Sequence, residues 1–455
     1  MAARYTLLLI IVMTVWISGV NAGDSTEKQH IRDVIADGNF SGNIRWATFA
    51  TFNEGDLSDF WANALGARVY WQSGSWHGFS FGMGGGASFN MGSADLTYLD
   101  PVVGKGNRFE SQLFDVTDKS NRYNISFLEM FYLQYQYKNM RLQGGRLNLN
   151  TPLLNAQDSR MKTTAFEGLW AHYQTSIWHV QGGWLVKSSP RGVRDWYTIE
   201  ESIGLFGRGY NTLGTNSGYK GNLRSAGIGV IGVDIKPNAH WDFKIWDAAI
   251  DNVMNTALLQ TEYHHGFWTG GLQYLGQWGL HKGGNGDLER TYYDPGQQTN
   301  LMAGKVEYDD GHIAVSGNLT RITSSGRFVF PREFGTVDFY NFFSRYRLDG
   351  QGDSYSYVLK TEWHPEKADN LGIEVDYGFM DTPGIDQIAL NKFRYPDFHQ
   401  VNFNIRYKLK GLFEGAKVRF LYAGTFQAGD AVYEPTLVYN RFNFTHLMLF
   451  IDYKI

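Results

Sequence analysis

Cysteine is absent from all 455 residues. Its absence excludes a disulfide framework, a thiolate metal site and a thiol nucleophile, and leaves backbone pairing and packing to hold the fold. Past the N-terminal residues there is also no run of about eighteen apolar residues, so nothing in the chain suits a membrane-crossing helix. Neither sign of charge is in excess: 41 Lys and Arg against 45 Asp and Glu give a net charge of −4. So mild a value does not suit a nucleic-acid-binding chain.

At the start of the chain, Arg4 precedes an apolar core from Leu7 to Ile17 and a small-residue site at Val20-Asn21-Ala22. This is the pattern of a secretory signal over residues 1–22, the alternative being an N-terminal anchor, for which the run is short. Removing Arg4 with the signal takes the net charge from −4 to −5. Residues 23–40 are polar with no period of two, as in a periplasmic lead-in, and residues 41–455 read as one barrel domain. The chain has 53 glycines, 10 prolines, 16% aromatic residues and a mean hydropathy of −0.34. In an exported chain that composition is expected of an outer-membrane β-barrel. A soluble array of β-sandwiches would have a similar bulk composition, so the residue pattern has to decide.

The pattern is one of alternation. Ile44 and Trp46 oppose Asn43 and Arg45; Leu65, Ala67, Val69 and Trp71 oppose Gly66, Arg68, Tyr70 and Gln72, before a turn at Ser73-Gly74-Ser75. Similar hairpins follow, one joined by Asp309-Asp310-Gly311, and residues 188–225 and 323–352 read as long loops. The glycine-rich segment Gly82–Asn90 opens no helix and has no lysine, so it reads as backbone crowding or a loop and not as a phosphate loop. The segments number roughly 16 to 18, and single-chain bacterial barrels need an even count. The expected fold is all-β: a transmembrane antiparallel β-barrel with short periplasmic turns and long extracellular loops. In the last strand Leu447, Leu449, Ile451, Tyr453 and Ile455 share one face, and His446, Met448, Phe450, Asp452 and Lys454 the other. This resembles the terminal signal recognised by barrel-insertion machinery, with Ile455 where phenylalanine is usual.

Function in such a barrel rests on the charges that point inward. Phe403, Ile405, Tyr407 and Leu409 oppose Asn402, Asn404, Arg406 and Lys408, while Val418, Phe420 and Tyr422 oppose Lys417 and Arg419. Placing cations toward lipid costs about 2–4 kcal/mol each near the midplane. Arg406, Lys408, Lys417 and Arg419 are therefore expected to form a pore-lining basic ladder able to draw carboxylates along the wall. The alternative is that they are solvated and balanced by neighbouring acids. Glu307, Glu362, Glu374 and Asp376 are candidates for an opposing acidic wall, or for ion pairs between adjacent strands. No Ser/His/Asp set is localised by spacing, which argues against an enzyme. His264-His265 is a poor metal pair, because adjacent strand residues point to opposite faces. Interfacial girdles account for most of the Trp and Tyr residues, ahead of carbohydrate stacking.

Gly145-Arg146, Thr151-Pro152-Leu153, Asn155, Asp158-Ser159-Arg160 and Phe166-Glu167-Gly168 resemble the signature stretch of the OprD-type outer-membrane porin family in order and spacing. Further similarity runs through Gln72–Phe81, Trp246–Tyr263, Asn300–Thr323 and the region from Val401 onward. The resemblance implies an 18-stranded barrel that passes small hydrophilic nutrients by passive diffusion. Carboxylate-bearing solutes and amino acids come first; a general porin or saccharide channel is the alternative, and a barrel enzyme or adhesin the reading from another class. It implies an inward-folded constriction loop carrying Asn155, Asp158 and Arg160, with Arg406, Lys408, Lys417 and Arg419 as the family's basic row. Met161–Ala165 departs from the family in lacking its proline, and the long loops match no family motif. The resemblance implies no cofactor and no metal. Its implied partners are small hydrophilic solutes, outer-membrane lipid and lipopolysaccharide, and insertion machinery, for a monomer or homotrimer located in the bacterial outer membrane.

Overall fold

The computed structural model describes residues 30–118 and 123–455. The expected signal segment, residues 1–22, lies outside the described residues. Within the lead-in, Ile31–Ala36 form a short helix before the first strand.

Eighteen strands make the barrel, numbered here in chain order. The first seven are β1 Asn39–Asn53, β2 Phe60–Gln72, β3 Phe79–Ser93, β4 Asn124–Tyr137, β5 Met140–Leu147, β6 Ala165–Gln174 and β7 Trp178–Ser189. Next come β8 Ile228–Ile235, β9 Trp241–Ile250, β10 Met254–His265, β11 Trp268–Gly279, β12 Gln298–Asp309 and β13 Ile313–Ile322. The last are β14 Ser354–Trp363, β15 Leu371–Asp381, β16 Phe398–Lys408, β17 Ala416–Gln427 and β18 Phe444–Lys454. Each pairs antiparallel with its successor, and β18 returns to β1 in a register running from Asn43↔Lys454 to Asn53↔Phe444. A further two-residue strand, Tyr197–Thr198, pairs only with the end of β7. Closure leaves no unpaired edge, as backbone in hydrocarbon requires.

Alternation sets what each face meets. Leu259, Leu272, Met302, Val306, Leu319 and Leu359 are exposed on the outside, an apolar surface too large for water but suited to lipid. Exposed rings border it at the short-turn end (Trp178, Trp241, Trp268, Trp363, Tyr407, Tyr453) and at the long-loop end (Phe52, Trp61, Trp184, Trp278, Phe426). The inward residues of β1, Asn43, Arg45, Ala47, Phe49 and Thr51, are all buried. What covers them is chain that has folded back into the barrel.

The segment expected as crowded backbone or a loop, Gly82–Asn90, is strand β3, and the crowding explains its glycines. A Cβ at Gly82 would lie 2.3 Å from the Tyr132 ring, and one at Gly84 2.1 Å from that of Tyr70. Two inward tyrosines lie flat over the strand, which only glycine permits. A bulge at Gly84/Gly85 accompanies them.

The loop between β13 and β14 lies inside the wall, and its backbone polar groups need partners there. Inward amides supply them as surrogate peptides. Gln273 donates to the Asp338 carbonyl at 2.8 Å and accepts from Tyr340 N–H at 3.1 Å. Gln277 donates to the Val329 carbonyl at 2.8 Å and accepts from Val329 N–H at 3.1 Å. Gln400 and Asn402 both donate to the Ser344 carbonyl, at 2.7 and 2.8 Å. Gln277→Leu strips Val329 of both partners, at about 1–3 kcal/mol for each orphaned group. Proteolysis within residues 323–353 of the folded barrel should then accelerate about tenfold or more, with the heat-modifiable barrel band retained on a gel.

Candidate functional site

The loop joining β5 to β6, residues 148–164, is buried inside the barrel against β1 and β2. Thr151 starts a tight turn: its hydroxyl donates to the Leu154 carbonyl at 2.9 Å and accepts from Leu154 N–H at 2.8 Å. Pro152, with no N–H to satisfy, fits beside it. Leu149, Leu153, Leu154 and Met161 are buried and seat the loop by apolar contact. Lys162, also buried, donates to the carbonyls of Thr163, Ser189 and Pro190 at 3.0, 2.7 and 3.1 Å.

The sequence-expected loop residues have three different surroundings. Asn155 ties the loop to residues 323–353, donating to the Thr336 carbonyl at 2.5 Å and accepting from Thr336 N–H at 3.2 Å. Gly335, beside it, has φ +112°, and a Cβ there would stand 2.4 Å from the Asn155 amide oxygen. Asp158 accepts from Arg45 at 2.7 Å and from Arg68 at 3.1 and 3.0 Å, so the loop is fastened to β1 and β2. Burial alone would raise the Asp158 carboxyl, but Arg45 and Arg68 outweigh it and hold the pKa below its ordinary value. Arg45 also reaches Asp452 of β18 at 2.6 Å. Arg160 is only 1% exposed, donates to Gln112 Oε1 at 3.1 and 2.8 Å, and stacks 4.8 Å over Phe49.

Around Arg160 the long loops assemble cations that no periodicity in the sequence marks. Arg191 comes from the β7–β8 loop, and Arg345 and Arg347 from the β13–β14 loop. Burial first, then repulsion among these guanidiniums and the neighbouring Arg108 and Arg332, drives all four pKa values down. A guanidinium does not give up its proton at ordinary pH, so the cost persists as a demand for negative charge. The acids nearby supply little. Burial raises Glu110 and Glu333, and Asp349 is engaged with Arg332 at 2.6 Å. Arg347 has no hydrogen bond or ion pair among the described residues.

Arg406 and Arg419 face each other across β16 and β17, as do Lys408 and Lys417, toward the short-turn end. Arg406 is ion-paired with Glu362 and lies 3.8 Å from Glu374, while Arg419 donates to Asn404 at 3.0 Å. Glu362, Glu374 and Asp376 do not stand across the lumen: they are on β14 and β15, beside the basic row. Glu307 lies on β12, 3.6 Å from Lys305. Alternation fixes a residue's face but not its azimuth around the barrel, so an acidic wall facing the cations gives way to pairing along one wall.

One group resembles a hydrolase triad without its wiring. Thr51 donates to Glu110 at 2.5 Å and contacts His446 Nδ1 at 2.9 Å, while Arg345 donates to His446 Nε2 at 2.7 Å. The carboxylate thus orients the hydroxyl instead of the imidazole, the far ring nitrogen is taken, and Thr51, Glu110 and His446 are all 0% exposed. As arranged, the group cannot activate a nucleophile on a solute.

No family model and no curated protein matches the sequence. Solved structures do match. OccAB3 of Acinetobacter baumannii has 13% identity and a TM-score of 0.72, covering 92% of this chain and 100% of its own. OccK8 (OprE) of Pseudomonas aeruginosa has 14% identity and a TM-score of 0.69, covering 93% and 99%. This chain has the fold of the OprD-type porins. OpdK of Pseudomonas aeruginosa, crystallised with vanillate, is superposable on the same OprD-type barrel with a TM-score of 0.68 at 14% identity, over 93% of this chain and 99% of its own.

Asp158→Asn removes the charge that latches the β5–β6 loop to Arg45 and Arg68. Because the folded pKa is depressed, the latch is complete above the ordinary carboxylate value of about 3.9 and is lost as pH falls through the lower folded value. Single-channel recordings should show low wild-type current noise at about pH 5 and a rise once the pH has fallen below about 3.9. The variant should be equally noisy at both, and an identical response in the two proteins would place the latch elsewhere.

Proposed function

We propose that this chain is a passive, substrate-selective channel of the bacterial outer membrane for small hydrophilic solutes that carry a carboxylate. The observation that carries this reading is the cluster of Arg160, Arg191, Arg345 and Arg347, held together inside the barrel with too little nearby negative charge to balance it. A carboxylate supplies that charge and accepts paired hydrogen bonds from a guanidinium. Lys408, Lys417 and Arg419, with Arg406 partly neutralised by Glu362, extend positive charge toward the short-turn mouth, giving an anion a graded path instead of one deep trap. The apolar outer belt with its two rings of aromatics supports an outer-membrane location. OpdK, a fold neighbour, was crystallised with vanillate, and an aromatic carboxylate of that kind has the chemistry the arginines would bind. Asn155, Asp158 and Arg160 then act as the framework of the constriction, while Arg345 and Arg347 meet the solute.

The test is electrical. Refolded protein in a planar bilayer across a potassium chloride gradient should prefer anions, and benzoate or glutarate should block the current. Arg347→Gln removes a charge-assisted hydrogen bond worth about 1.5–3 kcal/mol, so carboxylate block should weaken about tenfold or more. Arg406→Glu with Arg419→Glu should shift the reversal potential toward cations while assembly is retained. Cation preference in the wild type, or block by neutral sugars and not by carboxylates, would overturn the proposal.

A further inference from the structure

At the short-turn end of the lumen, β9 and β10 bring together three side chains that the anion path does not use. Asp242 is the second residue of β9, and Glu262 and His264 are inward residues near the end of β10. Their neighbours Trp241, Tyr263 and His265 are exposed on the outer face. His265 therefore contributes nothing to a metal pair with His264, and the partners of His264 are instead carboxylates on its own face. One ligand atom from each of Asp242, Glu262 and His264 lies within 4.8 Å of the other two.

The orientation of each group is set from behind. Thr269 is hydrogen-bonded to His264 Nδ1 at 2.9 Å, which turns Nε2 toward the carboxylates. Gln260 and Lys305 hold Glu262 Oε1 at 3.2 Å each, leaving Oε2 directed at the imidazole. His264 Nε2 is buried, makes no hydrogen bond, and stands 3.4 Å from Asp242 Oδ2 and 3.9 Å from Glu262 Oε2. A proton on Nε2 would favour one oxygen at normal hydrogen-bond length, about 2.7–3.2 Å. Sharing Nε2 between two oxygens at longer range suits a spherical ion, since bonds of about 2.1 Å to a tetrahedral centre put ligands about 3.4 Å apart. Fixing a ligand imidazole through its other nitrogen is how metal sites are tuned.

We propose that Asp242, Glu262 and His264 form a site for a borderline divalent transition-metal ion, of the zinc class, on the lumen wall at the short-turn mouth, with its remaining coordination positions open to the lumen. Lys305, 3.2 Å from Glu262, and Lys236, 2.9 Å from Asp242, offset much of the carboxylate charge. Selection therefore falls to the imidazole nitrogen, which disfavours magnesium and calcium. Lys236 is the native competitor for the ion: its side chain is 67% exposed and free to swing away.

Zinc binding to the detergent-folded full chain, followed by calorimetry, tests this without reference to solute transport. The wild type should bind one zinc per chain, and a hundredfold excess of magnesium should not displace it. His264→Ala should abolish that site while the protein keeps its heat-modifiable migration, and Lys236→Ala should tighten it about fivefold by removing the competing ammonium. Absence of zinc binding to the wild type, displacement by magnesium, or binding unchanged in both variants would overturn the proposal.

Discussion

In a bilayer every peptide group of a spanning strand needs a partner within the protein, and the pairing of β1 with β18 supplies the last row of them. Eighteen strands fix the circumference, and that circumference leaves an interior too wide for wall side chains alone to fill. The chain fills it with its own connections. Because these connections lie where water is scarce, their peptide groups have to be met by the wall. Gln273, Gln277, Gln400 and Asn402 meet them, each with an amide able to stand in for a neighbouring strand. The polar residues of the inner face are thus a scaffold for loops as much as a lining for water.

The same folding-back concentrates charge. Arg191, Arg345 and Arg347 are far apart in the chain from Arg160, yet their loops converge on one region of the lumen, where burial and mutual repulsion act together. The acids on the wall strands are largely committed to cations beside them, Glu362 to Arg406 and Glu307 to Lys305. The inner surface is therefore divided: a wall of locally paired charges, and an unbalanced core of loop arginines. That division would let one barrel be broadly hydrophilic and still discriminate by charge at its centre.

Much of the wall was legible in the sequence, because a period of two has one cause there: lipid on one side, lumen on the other. The alternation read over Asn43–Trp46 and Leu65–Gln72 falls within β1 and β2. Where the cause differs, legibility fails. Gly82 and Gly84 carry no side chain to alternate, and the reason for them lies in Tyr132 and Tyr70 on neighbouring strands. Glu362 and Glu374 were left between a far wall and ion pairs with adjacent strands, because a face can be read from one strand but an azimuth only from the count of all of them. The loop arginines had no signal, since the contacts that place such loops are remote: Asn155 and Thr336 are 181 residues apart. The inward loop itself was visible only through its likeness to a family signature.

The seam between β1 and β18 also has a temporal meaning. Thr51 and His446 are register partners across it, and they hold Glu110 of one loop and Arg345 of another. Arg45 and Asp452, also partners there, grip the loop that carries Asp158. The pairs Thr51–His446 and Arg45–Asp452 exist only once the two ends of the chain have met, so closing the barrel also completes the anchoring of the loops that carry Glu110, Arg345 and Asp158. A barrel left open at the seam would keep the Arg68 and glutamine anchors of its loops and lose these two.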